Sequence, residues 1–249
     1  MVDKPTINSQ PSGEPKYWAI VPAAGVGARM EADRPKQYLS LAGRAVIEHS
    51  LDRLLNHPRI SGGVVAISEG DAYWARLGYK HQKPLQVAPG GAERCHSVLN
   101  ALYVLANVAA VDDWVLVHDA ARPCLRSEDI TRLIDQCKDH PVGGILGIPV
   151  KDTIKQAEAV VDTPAISATV DRSLLWHAQT PQMFRLSTLH FALEQALSDK
   201  VSITDEASAL EHSDQWPLLV EGHADNIKLT RPEDLPLLEF FLSQFDGSS

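Results

Sequence analysis

The sequence of 249 residues carries only three cysteines, Cys95, Cys124 and Cys137, an odd number with no spacing of a zinc-binding pair. A disulfide scaffold is thereby excluded, a reducing compartment fits best, and no role is assigned to the three thiols. No apolar run approaches the roughly 20 residues of a membrane span. Residues 1–16 are polar and rich in Pro and Ser, without the apolar stretch of a signal peptide. A soluble cytoplasmic protein with no membrane partner is expected. Positive charge is also scarce: 23 Lys and Arg against 32 Asp and Glu give a formal net charge of −9. That balance argues against the broad cationic footprint of a nucleic-acid binder, so no nucleic-acid partner is expected. Any bound anion must be held by a local cluster of cations.

What the chain does have is a regular alternation of apolar segments. With 44% hydrophobic residues it can bury a sizeable core. Strands are expected at 17–21 (YWAIV), 63–67, 85–88, 114–117, 144–150, 218–220 and 227–229, with helical stretches at 45–55, 96–107 and 130–137. In the second of these helices Val98, Leu102 and Leu105 form one apolar stripe. Strands alternating with helices predict an α/β fold, a Rossmann-like, mostly parallel sheet with helices on both faces. In such sheets ligands bind beyond the carboxyl ends of the strands. Segment 151–170 breaks the rhythm, because polar and β-branched residues alternate around Asp162-Thr163-Pro164. It reads as a protruding β-hairpin arm, and since an isolated two-stranded ribbon is marginal in water, it is expected to pack on a second copy of the chain. The expected organisation is a flexible extension over 1–16, then a single domain over 17–245 that includes the arm.

The post-strand segments carry the chemistry. The first strand runs into Pro22-Ala23-Ala24-Gly25-Val26-Gly27-Ala28-Arg29-Met30, followed by Arg34-Pro35-Lys36-Gln37-Tyr38. Small residues let backbone amides approach an anion, and Arg29 and Lys36 add positive charge. A tight structural turn explains a Gly-x-Gly equally well. Neither the Rossmann fingerprint, whose third glycine is replaced by Met30, nor the Gly-Lys-Ser/Thr ending of a Walker loop is present. The stretch 89–97 (PGGAERCHS) follows another strand and opens a helix, where free amides favour an anion, or serve only as a capped helix start. The fourth strand ends in His118-Asp119-Ala120-Ala121-Arg122-Pro123. There Asp119 is placed to hold Mg2+ against phosphate oxygens, or merely to pair with Arg122. Residues 203–208 (ITDEAS) read as an N-capped helix start, and 224–230 (ADNIKLT) as a strand carrying an acid and a lysine.

Taken in order, PAAGVGARM, RPKQYL, GGAERCHSV, VLVHDAARPC, PVKDTIK, TVDRSLLWHAQTPQ, ITDEASALE and EGHADNIKLTRPEDL closely resemble the 2-C-methyl-D-erythritol 4-phosphate cytidylyltransferases, from residue 17 to the C-terminal helix. The resemblance implies a fold of nucleotidyltransferase type and transfer of CMP from CTP to methylerythritol phosphate, with release of pyrophosphate. It implies Mg2+ or another divalent cation as cofactor, CTP as co-substrate, and a homodimer joined through the arm. It assigns Arg29 to the β,γ-phosphates, Lys36 to the α-phosphate and Lys228 to the reacting phosphates. Pro22, Ala23, Ala24, Gly25, Gly27, Gly91, Arg94, Ser97 and Ala120 fall to the nucleotide site. Asp119, and in second place Asp225, fall to the metal. Arg122, Thr153, Arg172 and Thr180 fall to methylerythritol phosphate, some of them reaching across from the partner subunit. Two positions depart from the pattern: Ala28 stands where many members have a second arginine, and Ala92 where many have an acid. A cytidylyltransferase for another polyol phosphate, such as ribitol 5-phosphate, is the neighbouring reading, and a nucleotide-sensing module without turnover is the reading from another class.

Overall fold

The computed structural model describes residues 13–25 and 34–246. The chain enters through β1 (Tyr17–Pro22), and after a short 3-10 turn (Lys36–Tyr38) a small ladder of β2 (Ser40–Leu41) and β3 (Arg44–Ala45) leads into α1 (Val46–Leu55). Then come β4 (Ile60–Ile67), α2 (Ala72–Leu77), β5 (Leu85–Pro89), α3 (Arg94–Leu105), β6 (Trp114–Val117), α4 (Ser127–Cys137) and β7 (Gly143–Pro149). The arm follows as β8 (Ile154–Ala157) and β9 (Ile166–Val170), and the chain ends with β10 (Trp176–Arg185), α5 (Leu186–Ser198), α6 (Glu206–Glu211), β11 (Leu218–Glu221) and α7 (Asp234–Asp246).

Seven strands form one sheet in the order β11-β7-β10-β6-β1-β4-β5. All neighbours are parallel except β10, which runs antiparallel between β6 and β7. The near-continuous apolar runs of β1 and β6 are explained by burial on both faces. Trp18, Ile20, Val115 and Val117 meet the helices of one face, while Ala19, Val21, Trp114 and Leu116 meet those of the other. The helix stripes match: Val98, Leu102 and Leu105 of α3 are fully buried, as are Ile47, Leu51 and Leu54 of α1. The mostly parallel sheet covered on both faces is thus as expected. From β1 the chain builds outward through β4 and β5, then returns to place β6 on the other side of β1. This reversal opens a crevice at the carboxyl ends of β1 and β6.

Two strand readings need correction. Residues 227–229 form no strand; they are irregular, fixed by the bond from the Leu229 N–H to the Ala121 carbonyl at 2.8 Å and packed with Leu238 and Leu242 of α7. Strand β10 is not among the expected strands, and Pro181 lies within it. The ladder tolerates the proline by breaking register between Ala178 and Gln182. Residues 1–12 lie outside the described residues, but the Lys16 N–H already binds Asp113 Oδ1 at 2.8 Å. The arm is a separate two-stranded sheet, with Val160, Val161 and Ile166 exposed.

Candidate active site

The crevice is floored by the turn after β1. Three consecutive carbonyls there are each engaged by a side-chain donor. Gln37 Nε2 donates to Ala23 O at 2.6 Å and Gly25 O at 3.1 Å, and Ser68 Oγ donates to Ala24 O at 2.9 Å. The segment after β5 closes against this turn. Gly90 has to be glycine, since a Cβ there would lie 2.3 Å from Ala24 Cβ. Gly91 donates its N–H to Ser97 Oγ at 3.0 Å, which ties the loop to the first turns of α3. Pro22, Ala23, Ala24 and Gly25 therefore face Gly91, Arg94 and Ser97 across one cleft, with Lys36, Asp119, Ala120 and Lys228 completing its wall. Lys36 Nζ is held by the Leu229 carbonyl at 2.7 Å. Gly27 and Arg29, with Ala28, lie outside the described residues.

Asp119 is the centre of charge. Its Oδ1 accepts from Arg94 Nε at 3.0 Å, and its Oδ2 lies 2.7 Å from Lys228 Nζ and 3.6 Å from Arg122 Nε. Burial opposes its ionisation, but Arg94, Lys228 and Arg122 outweigh burial and hold its carboxyl well below the usual carboxylate range. Asp119 thus pairs with Arg122, as one sequence reading has it, and at the same time lines the cleft. Arg94 is shared, since its Nη1 also donates to Glu206 Oε1 at 2.5 Å. Burial works against the Arg94 charge and is overcome by Glu206 and Asp119, so the guanidinium stays charged. Glu206 is itself 1% exposed, and burial pushes its carboxyl up. Sequence reasoning gave this segment a capping role. Capping is real, but it belongs to Asp205, whose Oδ1 accepts the Ser208 N–H at 3.0 Å. Gln37 was likewise missed; its place in the RPKQYL segment was the only signal.

Behind Asp119 runs a buried hydrogen-bond chain. The Asp119 N–H donates to Thr180 Oγ1 at 3.1 Å, and Thr180 Oγ1 lies 2.9 Å from His118 Nδ1. His118 Nε2 lies 3.0 Å from the Arg122 carbonyl, which can only accept. Hence Nε2 carries the proton and Nδ1 accepts from the threonine hydroxyl. Burial pushes the His118 imidazole down to about 4, so it is neutral near pH 7. Thr180, assigned to substrate by resemblance, has its only hydroxyl hydrogen committed to His118 and sits 5% exposed.

The other candidates are not all brought to the cleft. Arg122 is drawn inward, with Nη1 on the Asn226 carbonyl at 2.6 Å. Thr153 and Arg172 sit exposed at the base of the arm, where Arg172 donates to the Lys151 carbonyl. Asp225 is not on the cleft wall: Arg126 Nε and Nη2 both donate to its Oδ2, at 2.9 and 2.5 Å, while its buried Oδ1 has no partner.

A doubly wound sheet with a small-residue turn after its first strand, and a cation-crowded carboxylate across the cleft, defines an α/β protein of nucleotidyltransferase type. The profile of the 2-C-methyl-D-erythritol 4-phosphate cytidylyltransferases matches residues 17–244, and the chain belongs to that family. A Pseudomonas putida (strain F1) protein of that name is 57% identical over 225 residues, covering 90% of this chain and 94% of the relative. A Pseudomonas syringae pv. tomato protein of the same name is 55% identical over 232 residues, covering 93% and 97%. The crystal structure of the Francisella tularensis enzyme of that name superposes with a TM-score of 0.77 at 37% identity, covering 91% of this chain and 99% of the other. Among the described residues no helix is long and apolar enough to cross a membrane.

Proposed function

We propose that the chain transfers the cytidylyl group of CTP to the phosphate of 2-C-methyl-D-erythritol 4-phosphate and releases pyrophosphate. The observation that carries the mechanism is the crowding of Arg94, Arg122 and Lys228 around Asp119, opposite the small-residue turn. A phosphate oxygen of one anion must attack the α-phosphorus of another, so charge neutralisation and alignment dominate the barrier. Lys36, fixed by the Leu229 carbonyl, supplies charge at the α-phosphate. Lys228 can exchange Asp119 for a phosphate oxygen, since its side chain is 38% exposed. Arg29, outside the described residues, takes the leaving pyrophosphate. The small residues of the turn and the Gly91 loop hold the nucleotide.

Asp119 suits Mg2+: it is ionised and borders the cleft, and Mg2+ binds through one or two carboxylates plus phosphate oxygens and water rather than in an all-protein cage. When bound, the ion would neutralise phosphate charge at the reacting centre. Asp225 is the weaker candidate ligand, because it lies off the cleft wall against Arg126 and offers only its unpartnered Oδ1. Methylerythritol phosphate is held by Arg122 and, from the arm of a partner subunit, by Thr153 and Arg172, while Thr180, its hydroxyl hydrogen on His118, contributes as an acceptor for a substrate hydroxyl. The exposed Val160, Val161 and Ile166 support such a dimer. Light scattering at micromolar concentration should give a dimer, and Ile166→Glu a monomer; a monomeric parent protein sinks the shared site. The reaction itself is tested by pyrophosphate release with CTP and Mg2+, comparing methylerythritol phosphate with ribitol 5-phosphate. Release with the first alone is expected. Release with neither overturns the catalytic reading, and release with the second alone changes the substrate.

A further inference from the structure

On the rim of the nucleotide cleft, which Glu93 helps to line, three side chains of different chemistry converge at the start of α3. Glu93, Cys95 and His96 each bring one ligand atom, and these atoms all lie within 4.8 Å of one another. Cys95 Sγ is 3.7 Å from Glu93 Oε2 and 3.7 Å from His96 Nδ1. For a tetrahedral Zn2+, bonds of about 2.3 Å to sulfur and about 2.0–2.1 Å to nitrogen or oxygen put those atoms roughly 3.6 Å apart. The observed sulfur-centred separations therefore need little adjustment to close on an ion. No cysteine-pair motif signals this, because the ligand set draws one residue of each type from adjacent positions.

We infer that Glu93, Cys95 and His96 form a three-ligand site for a thiophilic divalent cation, with Zn2+ the best match and water as the fourth ligand. Its chemistry separates it from the Asp119 site. A thiolate and an imidazole select Zn2+ and its neighbours in the transition series, whereas Mg2+ takes hard oxygen ligands. Charge also closes: thiolate, carboxylate and neutral imidazole together balance a dication. Access is from the surface, since Glu93 is exposed and His96 half-buried, while the thiol lies on the inner side. Burial pushes the Cys95 thiol up, so the free site carries its proton, and binding releases one proton from Sγ to solvent as the metal–sulfur bond forms. Cys95 itself belongs to the apolar core on that face of the sheet.

The test uses the intact chain with Co2+ as a spectroscopic reporter, and it reads binding whether or not cytidylyl transfer is the reaction. The parent protein should bind one Co2+ with a thiolate-to-cobalt charge-transfer band, which Zn2+ abolishes and excess Mg2+ leaves in place. Cys95→Ser should lose the band. Since Cys95 is buried and its variant could fold poorly, His96→Ala is the second arm; it keeps the Cβ that packs next to Gly91. That variant should weaken Co2+ affinity by more than about tenfold, the scale on which even outer-shell changes act. No band in the parent protein, a band that survives Cys95→Ser, or unchanged affinity in His96→Ala would each overturn the site.

Discussion

Glu206→Gln is the substitution that probes the buried charge network most directly, because it keeps shape and removes charge. The bond from Arg94 Nη1 to Glu206 Oε1 is 2.5 Å long and charge-assisted. Exchanging it for a neutral bond costs about 1–2 kcal/mol. Glu206 Oε2 is buried without a partner, so the amide group placed there would leave donors unsatisfied, at about 1–3 kcal/mol. Removing a buried carboxylate relieves part of its desolvation, and Arg94 keeps Asp119 at 3.0 Å. The net expectation is a loss of about 2 kcal/mol, or roughly 4–8 °C in Tm for a chain of this size. Calorimetry of Glu206→Gln, Arg94→Gln and the double variant should give a coupling of about 1 kcal/mol or more between the two positions. Additive losses, or a single-variant Tm within about 1 °C of the parent, would refute the shared-arginine network.

His118 sets a pH dependence of definite sign. Its folded value of about 4 lies below the ordinary 6.5, so between these values the unfolded chain binds the extra proton and stability falls as pH drops from 6.5 to 4. The loss amounts to about 3 kcal/mol; Asp119 and Arg122 are its charged neighbours, and burial moves His49 and His57 in the same direction. Urea unfolding across that range should show a shallower slope for His118→Asn, and an unchanged slope would refute the assignment. Gly90→Ala drives a methyl toward Ala24 Cβ, 2.3 Å away, and Ile67 O, 3.1 Å away. It should cost about 1–3 kcal/mol and raise the KM for CTP; wild-type melting and kinetics together would contradict the close approach. Lys36→Ala should lower kcat on the order of 100-fold, and a change confined to KM would reduce Lys36 to a binding group.

The parallel framework was legible because β1, β4 and β6 are buried on both faces and therefore read as apolar runs between helical stripes. Strand β10 was hidden by Pro181, which locally argues against a strand and is tolerated only through the register break. The segment 227–229 misled in the opposite way, since Ile227 and Leu229 serve the core under α7 without joining a ladder. In the site, Lys36 and the small-residue turn read as a phosphate loop from their residue types, whereas Asp119 left two readings open and Lys228 came only with the family resemblance. Glu206 could not be found, as its partner Arg94 is 112 residues away in sequence and only folding reveals the pair. Gln37 was silent for a related reason: its amide serves backbone carbonyls, which have no sequence signature.

The way Gln37 and Ser68 occupy the carbonyls of Ala23, Ala24 and Gly25 bears on how this site can change over time. A carbonyl pointing at phosphate repels it, so capping three in succession shifts the local field of the peptide units toward their N–H ends. Preference for an anion is then written partly in two side chains, Gln37 and Ser68, that donate to these backbone carbonyls. Drift among small residues at 23–25 should be comparatively silent, whereas loss of the Gln37 amide would turn the same backbone less hospitable to phosphate without altering one residue of the turn.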